Sequence, residues 1–151
     1  MDCYSTGLPG HITQARFVEA FYTTRVFKLE RFILAWAVNR HSTDAQAVQL
    51  AQGNANSFAA WSVEQRSEEQ LLLCDLHRRT RSWLMAVRTD GDGNTAGGTR
   101  LYFGSAVVPV AGSGTGAAGL GTPYRLLLGF HKVYSKVLLR AARARLLGEA
   151  A

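Results

Sequence analysis

The sequence has few of the residues that build special architectures. Only two cysteines, Cys3 and Cys74, occur among 151 residues, and no CxxC pair is present, which excludes a disulfide scaffold and favours free thiols in a reducing compartment. Charged residues make up 19% of the chain and hydrophobic residues 47%, which excludes a disordered protein. At about 100–200 residues per domain, residues 1–151 are predicted to form a single domain with its own core.

Export and membrane signals are also scarce. The N-terminal stretch has neither the basic nor the apolar segment of a signal peptide, so a cytoplasmic location is expected. The longest uncharged run, residues 101–124, contains six glycines and two prolines. Because a membrane-spanning helix needs about 20 mostly apolar residues that favour helix, we interpret this run as a strand and a loop and predict no transmembrane segment.

Positive charge is concentrated near the C-terminus. The chain has a net charge of +6, and residues 123–151 hold six Lys or Arg residues against one acidic residue, a local balance of +5. Such a segment can attract an anionic membrane or an acidic partner, although a solvated helix face is the simpler interpretation. The basic turn at 77–81 has no recognised nucleic-acid-binding motif beside it, and no nucleic-acid partner is expected.

Helix signals precede a central block of strands. Thr13 is placed to cap a first helix, and Thr23-Thr24 a second, strongly apolar one. Thr43 and Gln46 match a capping box and Gly53 supplies a stop, which predicts a third helix at about 44–52.

A long amphipathic helix is predicted at about 123–148. At 100° per residue one face is apolar and the opposite face is basic. The apolar face is predicted to hold Leu127, Phe130, Val133, Tyr134, Val137, Leu138 and Ala141, and the basic face Arg125, Lys132, Lys136, Arg140 and Arg143.

Between these helices the hydrophobic period changes to two. Alternation predicts four consecutive antiparallel strands between residues 58 and 107, in addition to a short edge strand at 2–9. Trp61, Trp83 and Phe103 are predicted on inward positions, and Asp75 is expected to face solvent. The fold class is therefore α+β, with the C-terminal helix covering the apolar face of the sheet.

The order of elements and one stretch of sequence resemble a known superfamily. The stretch comprises Trp61-Ser62-Val63-Glu64, Leu71-Leu72-Leu73, Ser82-Trp83-Leu84, Gly98-Thr99-Arg100-Leu101, Phe130-His131, Tyr134 and Leu138-Leu139. On these segments, residues 58–147 look like small uncharacterised bacterial members of the START and polyketide-cyclase-like (SRPBCC) superfamily. The resemblance implies the helix-grip fold, a curved antiparallel sheet wrapped around the long C-terminal helix, with two or three short N-terminal helices.

The same resemblance implies a cavity between the sheet and the C-terminal helix. Superfamily members commonly hold lipids, hormones or polyketides there, although a shared fold does not by itself fix function. We therefore expect a small hydrophobic ligand in a closed cavity of several hundred Å³. The candidate ligand-binding residues are Trp61, Trp83, Tyr102, Phe103, Phe130, His131 and Tyr134.

Two alternatives stay open. One is a cyclase- or dehydratase-type enzyme on the same scaffold, with His131, Asp75 or a tyrosine as acid or base. The other is peripheral binding to an anionic membrane or an acidic partner through the basic C-terminal helix. The sequence does not indicate an oligomeric state.

No cofactor or metal is expected. Gly114, Gly116 and Gly119 form a literal GxGxxG, but the chain ends after the next helix and no acidic residue lies about 20 positions on, so the dinucleotide context is missing. The four histidines have no second ligand at metal-binding spacing.

Overall fold

A computed structural model describes residues 2–29, 42–76, 78–91, 97–107 and 122–149, and within the last helix it describes side chains from residue 133 to 148. Three helices and six strands are present in these residues, and residues 25–29 are also helical. In chain order the elements are β1 (Asp2–Pro9), α1 (Gln14–Tyr22), α2 (Asp44–Ala51), β2 (Ser57–Phe58), β3 (Trp61–Arg66), β4 (Gln70–Asp75), β5 (Thr80–Thr89), β6 (Gly98–Val107) and α3 (Thr122–Glu149).

The six strands form one sheet in the order β1-β6-β5-β4-β3-β2, and every neighbouring pair is antiparallel. The predicted α+β class, a curved antiparallel sheet with short N-terminal helices and a long C-terminal helix, is confirmed. The strand predicted from residue 58 onward is in fact two strands. A turn at Ala59, where φ is +53°, separates β2 from β3.

The predicted helix caps are confirmed. Thr13 accepts a hydrogen bond from the Arg16 backbone N–H, and Thr43 and Gln46 form a reciprocal capping box at the start of α2. Gly53 follows that helix with φ of +84°, a conformation that glycine adopts without strain. Thr24 caps the helical residues 25–29, and the rest of the predicted second helix lies outside the described residues.

The strand register defines two faces of the sheet. Leu84 pairs with Leu71 on one side and Phe103 on the other, and all three are buried on the inner face that the helices cover. Since directly paired residues share a face, Trp83, which pairs with Leu72 and Gly104, lies on the outer face. The predicted inward position of Trp83 is therefore wrong. Both faces of β4 and β5 are apolar here, so alternation alone does not select the core side.

The buried face of α3 is rotated from the predicted one by roughly 100°, one residue step around the helix. Val133 and Val137, predicted to be on the core face, are 63% and 40% exposed. Leu138 is buried as predicted. The described residues of α3 that are buried are Ser135, Leu138, Leu139, Ala142 and Leu146.

Basic side chains attach α3 to the rest of the fold. Arg143 Nε donates to the Gly7 carbonyl of edge strand β1 at 3.1 Å. Arg145 donates to the Thr23 carbonyl at the end of α1 at 2.9 Å, a favourable place for a cation because it lies at a helix C-terminus. Two of the basic residues near the C-terminus, Arg143 and Arg145, therefore hold α3 in place against the rest of the fold.

Candidate ligand pocket between the sheet and the helices

A small pocket lies where the inner face of the sheet meets α1, residues 25–29 and α3. Strands β3, β5 and β6 supply one wall, and the helical segments supply the other. The described lining residues are Phe21, Tyr22, Phe27, Trp61, Ser82, Phe103, Ser105, Tyr134, Ser135 and Leu138. Trp61 and Tyr134 are the partly buried members of this set, which places them toward its mouth.

Aromatic rings make up much of the pocket wall. Phe21 lies 4.7 Å from Phe103 between ring centroids and 5.2 Å from Tyr22. Tyr22 in turn contacts Phe27 edge-on at 4.8 Å and Phe58 at 5.5 Å. These separations are in the range of favourable aromatic pairs, so the wall is a continuous cluster joining α1 to the sheet.

Hydroxyl groups interrupt this apolar wall. Ser82 and Ser105 lie opposite each other on β5 and β6, and both are buried. The Tyr22 hydroxyl lies 3.4 Å from Ser82 Oγ, with either group able to donate. Ser135 is 1% exposed on the facing side of α3. Buried hydroxyls are costly unless they are hydrogen-bonded, and none of Tyr22, Ser105 and Ser135 is without a partner.

The indole nitrogen of Trp61 differs from these hydroxyls. Its Nε1 is enclosed, and it has no hydrogen-bond acceptor among the described residues. An indole N–H can only donate, and leaving a buried donor unpaired costs about 1–3 kcal/mol. Because Trp61 also lines the pocket, its N–H is a candidate donor to a ligand oxygen or a water.

The pocket is much smaller than the cavity expected from the sequence. The described lining leaves a volume of about 40 Å³, well below the roughly 300–1,000 Å³ of a typical ligand site.

The structure brings together three of the seven predicted ligand-binding residues, Trp61, Phe103 and Tyr134. Trp83 and Tyr102 lie on the opposite, outer face of the sheet, where their rings are 6.3 Å apart. The placement of these two in the pocket is therefore wrong. The side chains of Phe130 and His131 lie outside the described residues.

Several pocket residues were missed from the sequence. Tyr22, Ser82, Ser105 and Ser135 supply the polar groups, yet none belongs to a recognised motif. The available signal was a serine at an inward strand position, opposite a second serine on the neighbouring strand. That signal needs the correct inward face on both strands, and the alternation indicated it for β6, through Phe103, but not for β5.

The chemistry of the described lining is limited to hydroxyls and an indole N–H. No carboxylate, imidazole or thiol is among the lining residues that the structure describes. Asp75, a candidate acid, is half-buried at the end of β4, where its Oδ1 accepts from the backbone N–H groups of Arg79 at 2.6 Å and Thr80 at 3.1 Å. This carboxylate closes the β4–β5 turn.

A second, partly open cleft of about 200 Å³ lies between α1, α2 and the β3–β4 turn. Val18, Leu50 and Leu71 contribute its apolar wall. The Oε1 atom of Gln14 is enclosed there without a partner in the described chain. The Arg66 guanidinium, also on this wall, donates to three backbone carbonyls at the end of α2, so it stabilises the helix terminus.

Within the described ranges no group of three or more potential metal ligands occurs. Of the helices in the part of the chain that is described, none is long and apolar enough to cross a bilayer. These residues and the sheet topology define an α+β domain of helix-grip architecture with a small hydroxyl-bearing pocket. No protein-family model matches the chain, and no curated protein and no solved structure matches it.

Proposed function

We propose that the protein binds a small, mainly apolar molecule in the pocket between the inner face of the sheet and α3. The observation that carries the proposal is the Nε1 of Trp61, a donor with no acceptor among the described residues, on an aromatic wall. Ligand sites are mostly apolar with a few convergent polar groups, and this wall combines rings with the hydroxyls of Tyr22 and Ser82.

The small volume of the pocket means that side chains must move before a larger ligand can bind. A space of about 40 Å³ admits only a few atoms, so a larger ligand requires side chains to turn away. Trp61 and Tyr134 are the candidates for this movement, because both are partly exposed. Phe21 and Phe103 are held inside the aromatic cluster and form the fixed floor.

Binding is favoured over a cyclase or dehydratase activity. Efficient general acid–base catalysis near neutral pH uses a group whose pKa lies close to the operating pH. Among the described lining residues the ionisable groups are the phenols of Tyr22 and Tyr134, and no carboxyl, imidazole or thiol group is present. The enzyme alternative therefore depends on a group beyond the described lining.

Native mass spectrometry of the protein purified from its own host tests the proposal, with the denatured mass as control. We expect an added mass that is lost on denaturation. A native mass equal to the denatured mass, unchanged after incubation with extracts of host small molecules, contradicts the proposal.

Two filling variants locate the added mass. Ser105→Val places two methyl groups beside the pocket and is expected to abolish it. Ala15→Leu fills the separate cleft near α2, and this variant is expected to keep the added mass. The matched control Ser62→Val, at an exposed position on β3, is also expected to keep it. If Ala15→Leu loses the added mass and Ser105→Val keeps it, the ligand binds in the cleft, and the proposal that it binds in the pocket is refuted.

A second candidate function is contact with an anionic membrane through α3. It is favoured by the exposed side chains of Val133 and Val137, which lie on the same side as the exposed Lys136 and Arg140. Apolar residues beside cations are typical of helices that lie on anionic membranes. Co-sedimentation with anionic vesicles at low salt, reduced at high salt and by Val133→Glu, is expected. Equal recovery with neutral and anionic vesicles would contradict it.

A further inference from the structure

The cleft between α1, α2 and the β3–β4 turn, which we call the α2 cleft, has room for a molecule of about one ring. Its volume is about 200 Å³. This is below the roughly 300–1,000 Å³ of sites for drug-sized molecules and above the about 150 Å³ of an apolar cavity that holds benzene. Val18, Leu50 and Leu71, each at most 2% exposed, form an apolar interior, and the exposed Gln52 and Glu68 form a polar rim.

Gln14 supplies a hydrogen-bond acceptor on the wall of the α2 cleft. It is the first residue of α1, and its Nε2 donates to the Leu84 carbonyl of β5 at 3.0 Å. Reversing the amide would place Oε1 against that carbonyl, and two acceptors cannot pair. In this orientation Oε1 is covered and has no donor among the described residues. A buried acceptor without a donor is unfavourable, so Oε1 is a candidate partner for a ligand N–H or O–H group.

The charges of the α2 cleft do not favour an anion. Among the described lining residues, the formal charges of Arg66 and Glu68 cancel. The Arg66 guanidinium donates to the carbonyls of Leu50, Gly53 and Ala55 at 2.9–3.1 Å. These carbonyls lie at and just beyond the C-terminus of α2, which is the negative end of the helix dipole. A phosphate or carboxylate would have to compete with them for Arg66, and a neutral ligand would not.

We infer that the α2 cleft is a second binding site, for a neutral molecule of about one ring that carries an N–H or O–H donor for Gln14 Oε1. The ring of the ligand would lie against the apolar interior. The inference does not rest on the proposed ligand pocket, because the two sites share no described lining residue. Since the cleft is partly open, its ligand exchanges with solvent, and binding is measured at equilibrium.

Fluorine NMR titrations with para-fluorophenol and para-fluorotoluene test the inference. The two probes have the same ring and similar sizes, and they differ in a hydroxyl against a methyl group. We expect the phenol to bind the wild type at least as tightly as the toluene, because Gln14 Oε1 replaces the water that the hydroxyl gives up. Gln14→Met keeps the length of the side chain and removes the amide oxygen. It is expected to raise the ratio of the phenol Kd to the toluene Kd by roughly fivefold or more.

Three variants locate the bound probes. Ala15→Leu fills the α2 cleft from α1 and is expected to abolish binding of both probes. Its matched control, Ala45→Leu, makes the same change at an exposed position on α2 and is expected to bind them like the wild type. Ser105→Val fills the pocket between the sheet and α3 and is also expected to bind both. The anion para-fluorobenzoate is expected to bind the wild type more weakly than the phenol.

Four results would overturn the inference. The first is a wild type that binds neither probe, which would leave water as the partner of Gln14. The second is an unchanged Kd ratio in Gln14→Met. The third is binding that Ser105→Val removes and Ala15→Leu keeps, which would assign the probes to the pocket. The fourth is tighter binding of the benzoate than of the phenol, which would make Arg66 an anion site.

Circular dichroism melting checks that each variant is folded. If Ala15→Leu is unfolded, Ala51→Leu on the α2 side of the cleft decides in its place. If Gln14→Met is unfolded, the wild type is titrated with para-fluoroanisole, whose oxygen carries no hydrogen. Binding of this probe as tight as that of the phenol would then contradict the hydrogen bond to Gln14.

Discussion

Removing the hydroxyl of Thr99 should destabilise the fold more than its small size suggests. Thr99 is 2% exposed on β6. Its Oγ1 donates to the Gly10 carbonyl at 2.8 Å and accepts from the Ile12 N–H at 2.9 Å. The single hydroxyl therefore holds the connection between β1 and α1, which includes Gly10 at φ of +76°, against the sheet.

The expected magnitude follows from these two hydrogen bonds. Thr99→Val keeps the shape of the side chain and leaves one backbone donor and one backbone acceptor unpaired, at about 1–3 kcal/mol each when buried. Since Ile12 and its surroundings are only partly buried, water recovers part of this cost, and a loss of about 2–3 kcal/mol in unfolding free energy is expected. At about 3 °C per kcal/mol for a domain of this size, the melting temperature should fall by about 6–9 °C.

Urea denaturation and calorimetry of Thr99→Val measure this loss, and Thr99→Ser is the matched control. Serine keeps the hydroxyl and removes only a methyl group, so about 1 kcal/mol is expected. A loss below about 1 kcal/mol for Thr99→Val, or an equal loss for Thr99→Ser, would refute the role assigned to the hydroxyl.

Two further predictions concern the outer face of the sheet. The hydrogen bond from Arg81 lowers the pKa of Glu64 below its ordinary value. The stabilisation of the fold by this pair is therefore present above about pH 4.3 and is lost as the pH falls through the folded-state pKa of Glu64. The urea midpoint of Glu64→Gln should therefore lie below that of the wild type near pH 7, and the two midpoints should converge in acid. A difference between the midpoints that stays constant across this pH range would contradict a stabilising role of the ionised Glu64. Gly104→Ala should cost about 1–3 kcal/mol because its Cβ would press on the Trp83 ring. Gly7→Ala, whose added Cβ would meet no atom of the described residues within 4 Å, should be neutral or stabilising in the same thermal melts, and equal losses would refute the packing argument.

Local signals explain why the helix boundaries and most of the strands were predictable. A cap acts within about three residues, so Thr13 and the Thr43–Gln46 pair define helix starts without reference to the rest of the chain. The turn at Ala59 was missed, since a left-handed conformation at alanine is unfavourable and depends on the surrounding strands.

The candidate site was less predictable, because it depends on which face each strand turns inward. Leu71-Leu72-Leu73 and Trp83-Leu84-Met85 place apolar residues on both faces. A shift by one position exchanges core and surface, and on β5 this exchange moved Trp83 out of the pocket and Ser82 into it. On β6 the face expected inward, that of Phe103, is the buried one; Ser105 shares it and Tyr102 does not.

The sequence by itself determined the order of elements, the capped helix starts and the antiparallel α+β class, because these depend on short-range backbone preferences and hydrophobic period. Only the tertiary structure decided which apolar surfaces are buried. On α3 the stripe through Leu138, Ala142 and Leu146 packs against the core while Val133 and Val137 remain exposed. The physical reason is that burial is a collective property. Two neighbouring apolar stripes have similar transfer free energies, and the choice between them is made by the shape of the sheet and by anchors such as Arg143 on Gly7.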